Sequence, residues 1–430
     1  MPDSRPRRPD DSTAGPGAAA LLLSGVRLAD GRAADVRIVG RHIEAVGKAG
    51  GLTTRGTRLD LRGYLLLPAP AEPHAHSDTA LTAVPEYAGA HAGDIRRRAT
   101  EAALLQLSHG ATALRAQVRV SAATGLAPLE AVLEAARSLR GLTEVTTVAV
   151  PGPLTGPAGA DGLVLLREAM HLGADVIGGR PDPDPDPTGH AEAVMGLAAE
   201  HGRPVDLHTD AEDPGILARL TAMAGAHRPG VLLGPCAGLS RLPGDVASRI
   251  ADQLAAAQVA VVCLPQGGCA ASRLRGTPPV PLLRAAGVRL AAGGGALRDA
   301  ASPVGRGDPL EAAYLLAAQH GLGAAAAYET VSATARAAMG LPEVRVEVGC
   351  PAELLAVRGS DLPGALSLAY SRIVVHRGRV VARTSAVREY CDSGTTAALD
   401  LPRQGRPGPG PAGPFSAGPV SGDPLPGGGP

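Results

Sequence analysis

The sequence predicts an α/β protein: a (β/α)8 barrel in the middle of the chain, and a small β-sandwich domain built from both chain ends. In the middle, eight short apolar runs alternate with amphipathic helical patterns, which is typical of a parallel sheet covered by helices. Two distant segments near the chain ends contain only short β-like runs. A chain of 430 residues is long enough to bury one large core or two.

Changes in composition along the chain predict the domain boundaries. Residues 20–64 and 345–385 carry the β-like runs, and we expect them to pair, because neither segment is large enough to bury a core alone. Residues 65–344 are expected to form the barrel. Residues 1–18 and 397–430 are rich in Pro and Gly and are predicted to be disordered tails.

Strand-like and helical segments follow one another through the barrel region. In such barrels the functional groups lie at the C-terminal ends of the strands. The helical patterns cover 94–109, 128–139, 162–172, 190–201, 215–227 and 243–257. The strand-like runs fall at 66–71, 111–116, 144–150, 174–178, 204–208, 230–234, 258–264 and 287–292.

Composition argues against several functional classes. Lys and Arg total 41, as do Asp and Glu, so no net charge favours nucleic acid. The sequence has neither an uninterrupted apolar stretch of about 18 residues nor a signal peptide, so we expect no membrane association and a cytoplasmic location. The five cysteines lack C-x-x-C spacing and indicate neither a disulfide framework nor a thiolate zinc site. A small-molecule ligand in the barrel mouth and a homo-oligomer remain open.

The most informative motif is Glu-Pro-His-Ala-His at 72–76. Side chains at i and i+2 of an extended segment point the same way, so both imidazoles can reach one metal ion. The apolar run at 64–68 is predicted to belong to the first barrel strand, which places the pair at its C-terminal end. His208 ends the fifth strand-like run. His74 and His76 are therefore candidate metal ligands, and His208 is expected at the same end of the barrel.

This arrangement resembles the amidohydrolase superfamily, and more closely its cytosine deaminase branch. The resemblance covers about residues 20–385. Four stretches carry it, at 72–79, 171–178, 205–210 and 305–311.

The resemblance implies metal-assisted hydrolysis of C–N bonds in cyclic amidines. In that chemistry a divalent ion lowers the pKa of a bound water, and a carboxylate carries protons to the leaving amine. The family holds the ion with the H-x-H pair, a His after strand five and an Asp after strand eight. A Glu three residues after the third His is the proton shuttle, and a His after strand six orients the water. His74, His76 and His208 match the first three ligands, so the resemblance implies a divalent metal, zinc or iron, at these histidines.

The remaining positions depart from the family pattern. The shuttle position falls on Ala211, the water-orienting position near Pro235 and the strand-eight ligand on Gly295. The pyrimidine-contacting Gln expected after strand three falls in Pro-Gly-Pro at 151–153. The strand-two motif, usually Arg-Thr-His-Val-Asp, reads Arg-Ala-Gln-Val-Arg at 115–119.

Two functions from different classes follow. The first is a pseudoenzyme that has lost hydrolysis and acts in binding or assembly. The second is an active amidohydrolase with a three-histidine metal and a relocated base, for which Glu212 and Asp210 are the candidates. A one-residue shift normally turns a side chain away, which argues against Glu212. Loss of a proton shuttle costs roughly 10²–10⁴ in rate, so the first function is favoured.

Overall fold

The structure, a computed structural model, describes most of the chain between Ala20 and Ala386. The disorder predicted for residues 1–18 and 397–430 concerns residues outside the described part, and it stays a prediction. The described residues are 20–83, 91–267, 269, 274, 276–368 and 371–386.

Two eight-stranded sheets organise the described part of the chain. Their strands, in chain order, are β1 (Leu21–Arg27), β2 (Ala33–Val39), β3 (His42–Lys48), β4 (Thr57–Asp60), β5 (Tyr64–Pro68), β6 (Ala71–His76), β7 (Ala113–Val120), β8 (Glu144–Pro151), β9 (Val176–Gly179), β10 (Val205–Thr209), β11 (Val231–Pro235), β12 (Ala260–Cys263), β13 (Arg289–Ala292), β14 (Leu354–Arg358), β15 (Arg372–His376) and β16 (Arg379–Thr384).

The first sheet is built from both chain ends, which confirms that prediction. Its strands hydrogen-bond in the order β16–β15–β14–β5–β1–β2–β3, and β4 pairs with β1. The antiparallel pairing of β14 with β5 joins the C-terminal segment to the N-terminal one. Leu23, Val36 and Leu354 are fully buried in the core of this sheet.

The second sheet is the predicted (β/α)8 barrel. Strands β6 to β13 lie side by side in sequence order, and all neighbours are parallel. The barrel is nearly closed by a parallel bridge between Ala75 and Gly295, where the His76 N–H donates to the Gly295 carbonyl at 3.2 Å. This arrangement places the C-terminal ends of all eight strands at one mouth.

The first barrel strand differs from the prediction. The run at 64–68 is β5 of the chain-end sheet, and barrel strand one is β6, which contains the H-x-H motif instead of preceding it. Leu66 packs in the core of the chain-end sheet, whereas Leu65 and Leu67 pack in the barrel's core. The misplacement has a physical reason. A strand that is buried on both faces has a continuous apolar sequence, and a parallel barrel strand has the same pattern.

Helices cover the barrel, and three of them begin with the same signal. Asp186, Asp213 and Asp308 each precede a proline, and each carboxylate accepts hydrogen bonds from backbone N–H groups in the first turn. None of the described helices is long and apolar enough to cross a bilayer. The helices are α1 (Ala92–Ser108), α2 (Ala127–Ser138), α3 (Gly159–Leu172), α4 (Pro187–His201), α5 (Pro214–Ala226), α6 (Gly244–Ala256), α7 (Val280–Ala285), α8 (Pro309–His320), α9 (Ala324–Val331), α10 (Ala333–Ala338) and α11 (Leu362–Leu368).

Candidate metal centre

Two barrel strands deliver the three predicted histidines to the mouth. His74 and His76 lie at the end of β6, and His208 is the penultimate residue of β10. Their side chains are buried, with 0% of His74, 7% of His76 and 3% of His208 exposed. Polar side chains buried this deeply at a barrel mouth need partners.

The three imidazole rings lie against one another. The ring centroids of His74 and His208 are 4.4 Å apart, those of His74 and His76 are 5.1 Å apart, and those of His76 and His208 are 5.5 Å apart. One ligand atom from each histidine and the Sγ atom of Cys269 lie within 4.8 Å of one another. Zinc bonds nitrogen at about 2.0–2.1 Å and sulfur at about 2.3 Å, so small side-chain movements would let these atoms share one ion. We call these four residues the metal cluster.

The lack of hydrogen bonds on two of the three rings is compatible with metal binding. Neither ring nitrogen of His74 or of His208 has a hydrogen-bond partner in the described part of the chain. A buried polar group without a partner costs about 1–3 kcal/mol, and coordination would relieve that cost. Burial lowers the pKa of His74 to about 4, which keeps this imidazole in the neutral form that binds metals.

Cys269 is the member of the cluster that the sequence analysis missed. Its Sγ lies 3.2 Å from Nε2 of His76, and 7% of the residue is exposed. Burial raises the pKa of the Cys269 thiol, but the neighbouring imidazoles, His76 above all, outweigh burial and hold that pKa far below its usual range. A thiolate is the form of cysteine that ligates metals.

Among the described residues, no carboxylate from the expected proton-transfer positions lies in the cluster. Ala211 is 2% exposed and carries only a methyl group. The side chain of Glu212 is 53% exposed and lies 3.5 Å from the guanidinium of Arg241. Asp210 is buried, and its backbone N–H donates to the carboxylate of Asp182 at 2.6 Å. Among the described residues, no carboxylate belongs to the metal cluster.

The other two departures from the family pattern also lie at strand ends. Pro235 ends β11, and its neighbour Gly234 pairs with His208 across the sheet. Gly295 contributes only its backbone, through the bridge to Ala75. Neither position offers a side chain that could orient water or bind an ion.

Glu72 links two backbone segments next to the metal cluster. It is fully buried, and its carboxylate accepts hydrogen bonds from the backbone N–H of His74 at 3.1 Å and of Gly294 at 2.8 Å. Burial raises the pKa of Glu72 to about 7 against these hydrogen bonds. Glu72 thus ties barrel strand one to the segment after strand eight and positions the H-x-H pair.

Two arginines, Arg119 and Arg180, border the space beside the metal cluster. Arg119 pairs with Asp78, with its Nε at 2.8 Å from the carboxylate, whereas no carboxylate of the described residues forms a salt bridge with Arg180. The cavity measures about 40 Å³. It is lined by His76, Thr79, Gln117, Arg119, Val150, Arg180 and His208.

The fold and the histidines together define the class: a (β/α)8-barrel protein that carries the histidine set of metal-dependent hydrolases at its strand ends. The chain belongs to the amidohydrolase family, whose sequence profile matches residues 87–382. The resemblance to the amidohydrolase superfamily is therefore confirmed.

The chain is similar to proteins that are named as deaminases and as an aminohydrolase. The chain is 27% identical over 410 residues to a pterin deaminase from Rhizobium rhizogenes, across 86% of this chain and 90% of that protein. It is also 27% identical to the N-isopropylammelide isopropylaminohydrolase of Burkholderia multivorans, whose crystal structure covers 86% of this chain and all of its own, with a TM-score of 0.77. The 5-methylcytosine deaminase of Klebsiella pneumoniae, at 22% identity, has a TM-score of 0.75 over 86% of this chain and all of its own, and shows the shared fold.

Proposed function

We propose that this amidohydrolase-family protein holds a divalent metal ion, zinc or iron, in its metal cluster and has lost the family's hydrolytic activity. The observation that carries the proposal is the content of the cluster. The rings of His74 and His208 have no hydrogen-bond partner among the described residues, and no described carboxylate belongs to the cluster. When bound, the ion would satisfy the buried imidazole nitrogens and hold the ends of two barrel strands together. His74, His76 and His208 would hold it.

The missing step is proton transfer. Hydrolysis of an amidine or amide requires a group that takes a proton from water and gives one to the leaving amine, within hydrogen-bond reach of both. Ala211 stands at the shuttle position and cannot do this. Because the strand-six histidine and the strand-eight carboxylate are absent as well, three contributions that act as a unit are lost together.

The alternative is an active amidohydrolase with a relocated base. The position of Glu212 argues against it, because that carboxylate is half-exposed and lies beside Arg241, outside the metal cluster. Asp210 is buried but also lies outside the cluster. We therefore propose metal binding without hydrolytic activity as the function.

The ligand that we expect beside the metal cluster is a small anion, because the cavity there measures only about 40 Å³. Two guanidinium groups, from Arg119 and Arg180, border the cavity, and only Arg119 has a carboxylate partner among the described residues. Arginine binds carboxylates and other oxyanions through paired N–H groups. At the position of Arg119 the family's strand-two motif usually has Asp, so the charge at this point of the mouth is reversed.

An ammonia-release assay tests the proposed function. The protein is loaded separately with zinc, iron and manganese and incubated with cytosine and with pterin, beside an active deaminase of the family as the positive control. We expect no ammonia above the protein-free blank, and none from the Ala211→Glu variant, because one restored carboxylate does not replace three lost groups. Turnover in the ordinary enzyme range, roughly 1–10³ per second, would show that another residue has taken over as the base.

A further inference from the structure

We propose that the thiolate of Cys269 is the fourth protein ligand of the metal ion, so that three histidines and one cysteine close the site. This inference rests on the proposed metal binding and deepens it. It specifies the donor set, the geometry and the absence of an open coordination position.

The first support is the position of the sulfur. Sγ of Cys269 lies 3.2 Å from Nε2 of His76, and it belongs with atoms of His74 and His208 to a set that spans no more than 4.8 Å. In a tetrahedral zinc site neighbouring ligand atoms are separated by somewhat less than 4 Å, as follows from bond lengths of about 2.0–2.3 Å. The sulfur therefore stands where a fourth ligand is needed.

The second support is the state of two of the histidine rings. His74 is fully buried and His208 is 3% exposed, yet neither ring has a hydrogen bond on either nitrogen among the described residues. Their rings lie 4.4 Å apart and share the space that the sulfur faces. Unpartnered nitrogens at this depth point to a ligand between the rings.

The third support is charge. In the family, an Asp after strand eight adds one negative charge to three neutral histidines. Here Gly295 stands at that position, and a thiolate from Cys269, which follows strand β12 in sequence, restores the same charge from the neighbouring strand of the barrel. The substitution also changes the ligand from hard oxygen to soft sulfur, which favours zinc over magnesium or manganese.

A closed site has a functional consequence. Structural zinc sites have four protein ligands, whereas catalytic sites keep one position for water or substrate. With Cys269 in place, no position is left for the water that hydrolysis requires. The closed donor set and the missing proton shuttle are then two separate reasons for the loss of hydrolysis.

Cobalt substitution tests the inference by spectroscopy, without any activity. Wild-type protein loaded with one equivalent of Co²⁺ should show the strong visible bands of a tetrahedral ion and a thiolate-to-cobalt charge-transfer band in the near ultraviolet. Cys269→Ser should lose the charge-transfer band and bind zinc at least about 10-fold more weakly in a chelator competition, since changes around ligands alone cost about 10–100-fold. Cys236→Ser is the matched control, because Cys236 is a fully buried thiol outside the cluster, and it should keep the band.

The outcomes separate this inference from the proposed function. If wild-type protein binds cobalt without the charge-transfer band, Cys269 is not a ligand and the inference is overturned, while metal binding stands. If wild-type protein binds no cobalt or zinc at all, both fail. Should Cys269→Ser not fold, X-ray absorption of the zinc-loaded wild type decides the matter: one sulfur neighbour at about 2.3 Å supports the inference, and none overturns it.

Discussion

Replacement of Asp308 by alanine should lower the free energy of unfolding by about 3–5 kcal/mol, the usual cost of removing one partner from a buried ion pair. Arg372 donates to both carboxylate oxygens, from Nη1 at 2.8 Å and Nη2 at 2.6 Å, and the two side chains are 5% and 3% exposed. The pair joins β15 of the chain-end sheet to the start of α8, whose first turn Asp308 also caps. The variant removes a carboxylate that a buried guanidinium contacts through two hydrogen bonds, while the bond from Arg372 to the His109 carbonyl stays.

Urea denaturation at neutral pH measures this loss. Arg167→Ala, which removes an exposed pair with Glu200 at 3.7 Å, is the control and should change stability little. Adding Arg372→Met to Asp308→Ala should recover part of the loss, because the buried guanidinium is removed as well. A loss below about 1 kcal/mol for Asp308→Ala would mean that solvent reaches the pair in solution.

The same pair predicts a dependence on pH. Burial raises the pKa of Asp308, but the Arg372 guanidinium outweighs burial and holds that pKa below its usual range. A carboxyl group with a lowered pKa in the folded state contributes its full stability above its unfolded pKa, about 3.9, and loses it as the pH falls further. The difference between wild type and Asp308→Ala should therefore shrink in acid.

Replacement of His74 by alanine should abolish tight metal binding. The ring is fully buried at the centre of the cluster, and both of its nitrogens lack other partners among the described residues. Because changes around a ligand already cost about 10–100-fold in affinity, we expect more than about 100-fold for the ligand itself. Titration of the apoprotein with zinc against a chromophoric chelator measures the effect. His171→Ala, at an exposed histidine outside the cluster, should bind zinc like wild type; unchanged affinity in His74→Ala would remove His74 from the site.

The sequence predicted the barrel and the convergence of three histidines because both depend on local periodicity. Alternating strands and helices imply a parallel barrel, and a barrel brings the ends of β6 and β10 to one mouth. The misplaced first strand shows where periodicity fails. Leu65, Leu66 and Leu67 are all buried, because β5 lies between two cores, and nothing local distinguishes that from a barrel strand.

Cys269 and Glu212 could not be placed from the sequence for different reasons. Spacing rules detect pairs of ligands within one segment, whereas Cys269 is a single residue that meets the histidines only in the folded barrel. Glu212 follows Ala211, whose φ of +57° turns the chain after β10. The direction of the Glu212 side chain depends on that turn, and a strand-based argument could state only that a shifted residue normally points away.

The measurement that tests the central claim most directly is turnover per bound metal ion. Zinc-loaded protein is divided, one part is analysed for zinc per chain, and the other is assayed for ammonia release from cytosine and from pterin. The account predicts close to one zinc per chain and no ammonia above the blank. One zinc per chain with turnover of about 1 per second or more would contradict it, because the barrel would then be an active hydrolase whose base lies elsewhere.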